Sequence, residues 1–487
     1  MTPIARGLLY ACACALLSAC AVGPNYHRPR ITPAAGFKEL GDWKPSEPAD
    51  ALTRGPWWEI FHDDVLNQLE AQVEVSNENV KAAAAAYEQG LALLSQARAG
   101  YWPTVSASAS RLRTVTGSSS GGAGPVGGAS SFGTVFGRPQ TTNSVGIRGD
   151  WTIDVWGEIR RNVESSRASS QASQAALASA KLSEQAALAT AYFELRTQDQ
   201  LNIILNDIVA AQEASLKITE NRYKVGVAAR ADVVTAQTQL LTSQSEQINA
   251  QIPRATLEHA IAVLIGKEPA AFSAAPAPIR SDVPTVPPGV PSELLERRPD
   301  VAEAERKVAA ANAQIGVAET AFFPTLTLTG SDDYTGNTLS RLIRASNRVW
   351  SIGPELAATI FDGGLRHAQV RQAKAAYQES VDTYRQTVLT GFQNVEDELV
   401  TLRVLEKQSS VENDAVKAAR EAETLTLNQY KAGTVPYSSV ISAQTARLNA
   451  EQTALNVLSN RLTASVALIQ DLGGGWDASE LTNKKKK

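Results

Sequence analysis

Three thiols, four imidazoles and two glycine-rich motifs are the groups whose type and spacing could carry chemistry in this sequence. Gly122-Ala123-Gly124-Pro125-Val126-Gly127 fits G-x-G-x-x-G, the loop that cradles a dinucleotide pyrophosphate. That chemistry needs a helix N-terminus directly after the loop, and none follows here. Gly117-Ser118-Ser119-Ser120-Gly121 fits the G-x-S-x-G of a nucleophilic serine but lacks the strand-to-helix elbow that would present the hydroxyl. His27, His62, His259 and His367 are scattered, without metal-ligand spacing. The only methionine is Met1, so there is no thioether relay for copper. No carboxylate pair or nucleophile–base set suggests an enzyme, and no metal or cofactor is expected.

Cys20 is the group that remains. Met1 to Arg6 carries one positive charge, Gly7 to Ala19 is short and apolar, and Leu17-Ser18-Ala19 leads into the thiol. This is the layout of a secretory leader. It resembles the bacterial lipobox, in which small residues admit a peptidase and the cysteine sulfur takes a diacylglycerol. Cys12 and Cys14 would leave with the leader, so no disulfide is possible in the mature chain. The expected covalent group is therefore a lipid on Cys20. Ala21, not Asp, follows it, which by resemblance to bacterial lipoproteins favours the outer membrane.

The rest of the chain is organised around a segment present twice. Asn221 to Leu241 reads NRYKVGVAARADVVTAQTQLL, and Asn428 to Leu448 reads NQYKAGTVPYSSVISAQTARL. Each copy ends a long helical stretch at a glycine, Gly226 or Gly433, turns, and starts another helix. Glycine just past a helix end supplies the left-handed conformation that a turn requires. A repeat of this length makes the fold one duplicated architecture rather than several unrelated domains.

Between Glu158 and Val225 there is neither Gly nor Pro, which predicts a helix of about 100 Å. A return helix runs to about Ile265, with a kink or break expected at Pro253. The second copy predicts helices over Asp300 to Thr320, on to about Ala432, and on to about Leu472. Helix is also predicted from Asp63 to Gln89. Ahead of each long helix the pattern alternates. Val145, Ile147, Trp151, Ile153 and Val155 share one face, opposite Ser144, Arg148, Asp150, Thr152 and Asp154. Thr104 to Arg113, Thr325 to Thr329 and Val349 to Phe361 alternate likewise, with Trp350, Ile352, Leu356 and Ile360 on one face. Asp362-Gly363-Gly364 is read as a helix breaker with an N-cap. Strands of this length suit a bilayer crossing of about 9–11 residues.

Each chain thus offers four amphipathic strands in two hairpins. Four strands cannot close a barrel, and open edges are not tolerated in lipid, so the chain must assemble with copies of itself. Two copies make too narrow a barrel for a channel; three supply twelve strands. The formal net charge is −4. Removing Arg6 and Lys484 to Lys487 makes the body more acidic still, so there is no electrostatic case for nucleic acid. Alanine-rich composition with 6% aromatics suits closely packed helices. No apolar run outside the N-terminus is long enough for a transmembrane helix.

The order of helix, hairpin, long helix pair, linker and repeat resembles the TolC-like outer-membrane factors. The opening CAVGPNYHRP from Cys20, the strand-to-helix segments IDVWGEIRR (from Ile153) and IFDGGLR (from Ile360), and the end LIQDLGGGW (from Leu468) resemble the NodT-like lipoprotein branch of that family. The resemblance covers nearly all of the mature chain. It implies a mixed α and β membrane protein: a homotrimer whose 12-stranded β-barrel continues into a long periplasmic α-helical barrel. Its implied place is the cell outer membrane, lipid-anchored and extending into the periplasm. Its implied partners are outer-membrane lipid, a periplasmic adaptor (membrane fusion protein) and an inner-membrane transporter of the resistance-nodulation-division type.

The division that follows is a signal peptide over 1–19 and an extended arm over 20–62. The first repeat covers 63–272, a Pro-rich linker 273–292, the second repeat 293–472 and a tail 473–487. The two glycine turns would then be the periplasmic tip, where helices close the tunnel and the adaptor docks. Its candidate residues are Tyr223, Gly226 and Asp232 in the first turn, and Tyr430, Gly433, Pro436 and Tyr437 in the second. Many family members place acidic residues just after the second turn; here those positions are Ser439 and Ser442. The expected gate is therefore held by hydrogen bonds and by Tyr430 or Tyr437 rather than by an ionic lock. Two other functions fit parts of the pattern: an exit duct for type I protein secretion, and a periplasmic coiled-coil lipoprotein, which would not need the strands.

Overall fold

The computed structural model describes residues 21–31, 34, 36–40, 56–115, 139–284, 286 and 296–481. The leader with Cys12, Cys14 and Cys20, the two glycine-rich motifs of the first hairpin loop, much of the linker and the terminal lysines lie outside the described residues. Helices α1 (Asp64–Ser76) and α2 (Glu78–Ala99) precede strands β1 (Thr104–Thr114) and β2 (Gln140–Ile153). Helices α3 (Glu158–Lys224), α4 (Arg230–Asn249) and α5 (Gln251–Leu264) complete the first copy. The second copy holds α6 (Pro299–Thr320), β3 (Thr325–Gly336), β4 (Arg348–Ala357), α7 (Leu365–Ala432) and α8 (Tyr437–Asp471).

The four strands form one antiparallel sheet in the order β1-β2-β3-β4. Its register puts Val105, Gly149, Gly330 and Ile352 in one cross-strand row and Ala107, Ile147, Asp332 and Trp350 in another. The face so defined also carries Trp151, Ile153, Leu326, Leu328 and Leu356. The opposite face is polar: Ser110 and Ser144 hydroxyls meet at 2.8 Å, Ser331 and Ser351 at 3.1 Å, and Thr329 donates to Asp150 at 3.2 Å. Gly146 is glycine because the Asp333 carboxylate crosses over it; an added Cβ would collide with Asp333. Among the described residues no helix is long and apolar enough to cross a membrane.

By contacts the chain forms two compact units, and each draws on both repeats. One takes Met1–His27, Leu91–Ala168 and Ala309–Glu379 and holds the sheet; the other takes Arg28–Gly90, Ser169–Val308 and Ser380–Lys487 and holds the glycine turns. The core of the second unit gathers Leu66, Leu69 and Val73 from α1, Leu188, Tyr192 and Leu195 from α3, Ile261 from α5 and Leu462, Leu468 and Ile469 from α8.

Several boundaries depart from the sequence reading. The first helical stretch breaks at Asn77, whose extended backbone ends α1. The Asn77 side chain makes the break stable: its Oδ1 accepts from the Asn79 and Val80 amides at 2.8 and 3.1 Å, and its Nδ2 donates to Glu184 Oε2 and the Leu264 carbonyl. The break expected at Pro253 lies at Ala250 instead. Pro253 then sits in the first turn of α5, where its missing N–H would have had no helical acceptor. Strand β3 runs on to Gly336, past the expected Thr329, although Asp332 and Asp333 interrupt the alternation. Val155 lies beyond β2, and Ile360 and Phe361 lie beyond β4. Asp362 does cap α7, accepting from the Gly364 and Arg366 amides at 3.0 and 3.2 Å.

Candidate functional site

The two glycine turns are built alike. Gly226 has φ +78° and Gly433 φ +79°, the left-handed region that favours glycine. Gly226 N–H donates to the Tyr223 carbonyl at 2.9 Å and Val227 N–H to the Arg222 carbonyl at 2.9 Å. In the second turn Gly433 N–H donates to Tyr430 and Thr434 N–H to Gln429, each at 3.0 Å. Both pairs are the bonds that close a Schellman motif and satisfy the last carbonyls of a helix.

Beyond the caps the turns differ. Tyr430 and Tyr437 are buried, with ring centroids 5.4 Å apart, and pack with Ala236 and Val440. Tyr430 Oη donates to Thr219 Oγ1 at 3.1 Å. One turn of helix away, Gln444 Nε2 donates to Ser215 Oγ at 3.2 Å. These two bonds tie α3 to α7 and α8 in a buried setting. Burial, with Tyr430 beside it, pushes the Tyr437 phenol up to about 12, so it stays protonated.

Arg222 joins the turns themselves. Its Nη1 donates to the Tyr430 carbonyl at 2.8 Å and the Lys431 carbonyl at 3.1 Å, and its guanidinium lies 4.8 Å from the centroid of the Tyr430 ring. A cation at a helix C-terminus meets the negative end of the backbone dipole. Here the cation comes from one copy and the helix end from the other. The second copy has Gln429 at the matching position.

Of the residues the sequence singled out, the second-turn set of Tyr430, Gly433 and Tyr437 lies at this junction. Pro436 precedes α8 as its N-cap and its carbonyl accepts from Ser439 N–H at 3.1 Å. Tyr223 is half exposed, with the Arg230 guanidinium 6.0 Å from its ring centroid. Asp232 Oδ2 accepts from the Ala229 amide at 3.3 Å and so serves the start of α4. Ser442 donates to the Ser438 carbonyl within its own helix at 3.1 Å. The bonds across the turns therefore run through Arg222, Thr219, Ser215 and Gln444, which sequence reasoning did not single out. The one signal that could have found Arg222 is the break in the repeat, Asn-Arg-Tyr-Lys against Asn-Gln-Tyr-Lys.

Farther along the same helices lies an ion network. Arg447 donates to Glu423 at 2.8 Å and to Glu451 at 2.9 Å, and Glu451 also accepts from Arg420 at 2.7 Å. Glu423 and Glu451 are buried, so the network links α7 to α8.

The family model described as outer membrane efflux protein matches residues 69–267 and 290–474. The chain belongs to the outer membrane efflux protein family. It is 29% identical over 465 residues to the toluene efflux pump outer membrane protein TtgC of Pseudomonas putida, covering 95% of this chain and 94% of that one. It is 30% identical over 440 residues to nodulation protein T of Rhizobium leguminosarum bv. trifolii, covering 88% and 89%. The solved structure of the outer-membrane channel OprN matches with a TM-score of 0.83 and 29% identity, over 94% of this chain and all of that one. The resemblance drawn from the sequence motifs is thereby established. The fold is that of an outer-membrane channel subunit, mixed α and β, with four strands from each chain. The protein is the outer-membrane channel component of an efflux system.

Proposed function

We propose that three copies of this chain close a twelve-stranded barrel in the outer membrane and a helical conduit, forming a passive exit duct with no catalytic step. The observation that carries this reading is the four-stranded sheet, with Ile147, Trp151, Ile153, Leu328, Ile352 and Leu356 on one face and with edge strands β1 and β4 that pair with no further strand among the described residues. Unpaired backbone groups in hydrocarbon cost several kcal/mol each, so edge must meet edge between copies. The solutes are read as drugs or small toxic compounds, by kinship with a relative named for toluene efflux.

The finer parts of the reading are these. The chain divides into leader, arm, two repeats joined by the Pro-rich linker, and tail, as the sequence suggests. Cys20 carries the lipid that holds the periplasmic side at the inner leaflet. A periplasmic adaptor and an inner-membrane transporter complete the pump. The turns at Gly226 and Gly433 form the periplasmic tip, closed at rest, with Tyr223, Asp232 and Pro436 offered to the adaptor and Ser439 and Ser442 at the gate. Tyr430, held by Thr219 and Arg222, and Tyr437, packed against its ring, form the latch. An exit duct for secreted protein is less well supported, since the relatives compared are named for efflux and nodulation.

Drug and solvent susceptibility of a deletion strain tests the reading. Wild type should restore resistance. Gly433→Trp should fail to do so while its trimer still reaches the outer membrane. A deletion strain as resistant as its parent would overturn it.

A further inference from the structure

Arg161, three residues into α3, is only 4% exposed, and most of its donors serve the chain's own N-terminal arm. Nε donates to the Val22 carbonyl at 3.1 Å; Nη2 donates to the Gly23 carbonyl at 2.9 Å and to Asn25 Oδ1 at 3.0 Å. Asn312 Nδ2, on α6, donates to the Pro24 carbonyl at 3.0 Å. Val22 N–H donates to the Trp156 carbonyl at 3.0 Å. Three consecutive carbonyls, Val22 to Pro24, thus each receive a side-chain donor. Nη1 is held by Glu164 at 2.8 Å, which fixes the guanidinium plane.

The surface is also cut to backbone dimensions. Gly23 has φ +95°, and a Cβ there would stand 2.4 Å from Gly316 Cα. A Cβ on Gly316 would stand 2.9 Å from Arg161 Cγ and 3.0 Å from the Val22 carbonyl oxygen. A Cβ on Gly157 would stand 2.9 Å from Ala21 Cα. Real Cβ atoms do not approach so closely, so glycines on three segments admit the arm. All of these residues belong to the unit that contains the sheet.

We propose that this socket is a receptor for the chain's own N-terminal segment Ala21–Asn25, and that it sets where an acyl anchor leaves the protein. Residue 20 is one peptide unit, about 3.8 Å between Cα atoms, from Ala21. An anchor there is tied to the junction between β2 and α3. On a loose arm of eight residues the same anchor could range over roughly 28 Å. The anchoring role rests on reading Cys20 as acylated; the docking does not.

Hydrogen exchange of residues 21–31, measured by mass spectrometry on the full protein in detergent, tests the socket. Wild type should protect the Val22 amide, and so should Cys20→Ser exported by an ordinary cleavable leader. Arg161→Ala should speed exchange there tenfold or more, with Arg161→Lys intermediate. Gly316→Ala should speed it too, although alanine strengthens the helix that carries it. Should Arg161→Ala fail to assemble, Gly316→Ala and Asn25→Ala decide alone. Protection of Val22 unchanged in the assembled variants would overturn the proposal. The mass of the wild-type N-terminal peptide reads acylation separately: an unmodified thiol would sink the anchor reading and leave the docking result standing.

Discussion

Arg222 Nη1 lies 2.8 Å from the carbonyl oxygen of Tyr430, a residue 208 positions away in the matching turn of the other repeat. That carbonyl already accepts the Gly433 amide that closes its own helix, so one oxygen serves both the cap and the link between turns.

Removing the guanidinium should loosen the tip without unfolding the chain. Hydrogen bonds to charged groups contribute about 1.5–3 kcal/mol each. Arg222→Ala should therefore raise the open probability of single channels in planar bilayers by more than tenfold, with Arg222→Lys in between. Unchanged closure in the Ala variant would remove Arg222 from the latch.

The two glycines should respond unequally to the same change. Left-handed backbone costs a residue with a Cβ about 1–2 kcal/mol, at Gly226 and Gly433 alike. Nothing lies within 4 Å of a Cβ at Gly226, whereas one at Gly433 meets Arg222 Nη2 at 3.4 Å. Gly226→Leu should thus lower thermal stability alone, and Gly433→Leu should also open the channel. Equal channel behaviour of the two variants would contradict the asymmetry.

Arg447→Met should be the costliest single change among the long helices. It strips Glu423 of its cation and leaves Glu451 with Arg420 alone. Breaking a buried ion pair from one side costs about 3–5 kcal/mol. Adding Glu423→Gln and Glu451→Gln should recover most of that loss in denaturant melts, because the uncompensated charge is then gone.

Glu70 should make stability fall with rising pH. It is fully buried on α1, neither carboxylate oxygen has a partner among the described residues, and burial pushes its pKa up to about 9. The folded chain keeps a proton that the unfolded chain releases near the usual 4.5. The contribution of the neutral carboxyl is full below that value and is lost as pH rises through about 9. Glu70→Gln should flatten the melting temperature between pH 5 and 9 and exceed wild type at pH 9. A parallel decline in both proteins would place the pH dependence elsewhere.

Much of this molecule was legible because its local rules agree. The glycines that end α3 and α7, the alternation in β2 and the Asp362 cap are all set by neighbours in sequence. The misses share a cause. Asn77 breaks a helix because of partners at Glu184 and Leu264, far along the chain. The Ala250 break carries no Gly or Pro at its own position. Arg222, Thr219, Ser215 and Gln444 pair across more than 200 residues, a distance that leaves no periodicity to read. Tyr430 and Tyr437 were legible as residues of the turn, but their burial depends on α3 folding beside them.

Sheet closure between chains is the central claim, and native mass spectrometry of the complex extracted from outer membranes tests it most directly. The expected result is a complex of three chains that resists dissociation unless heated and keeps its β signal in detergent. A single chain, soluble in buffer without detergent, would contradict the account.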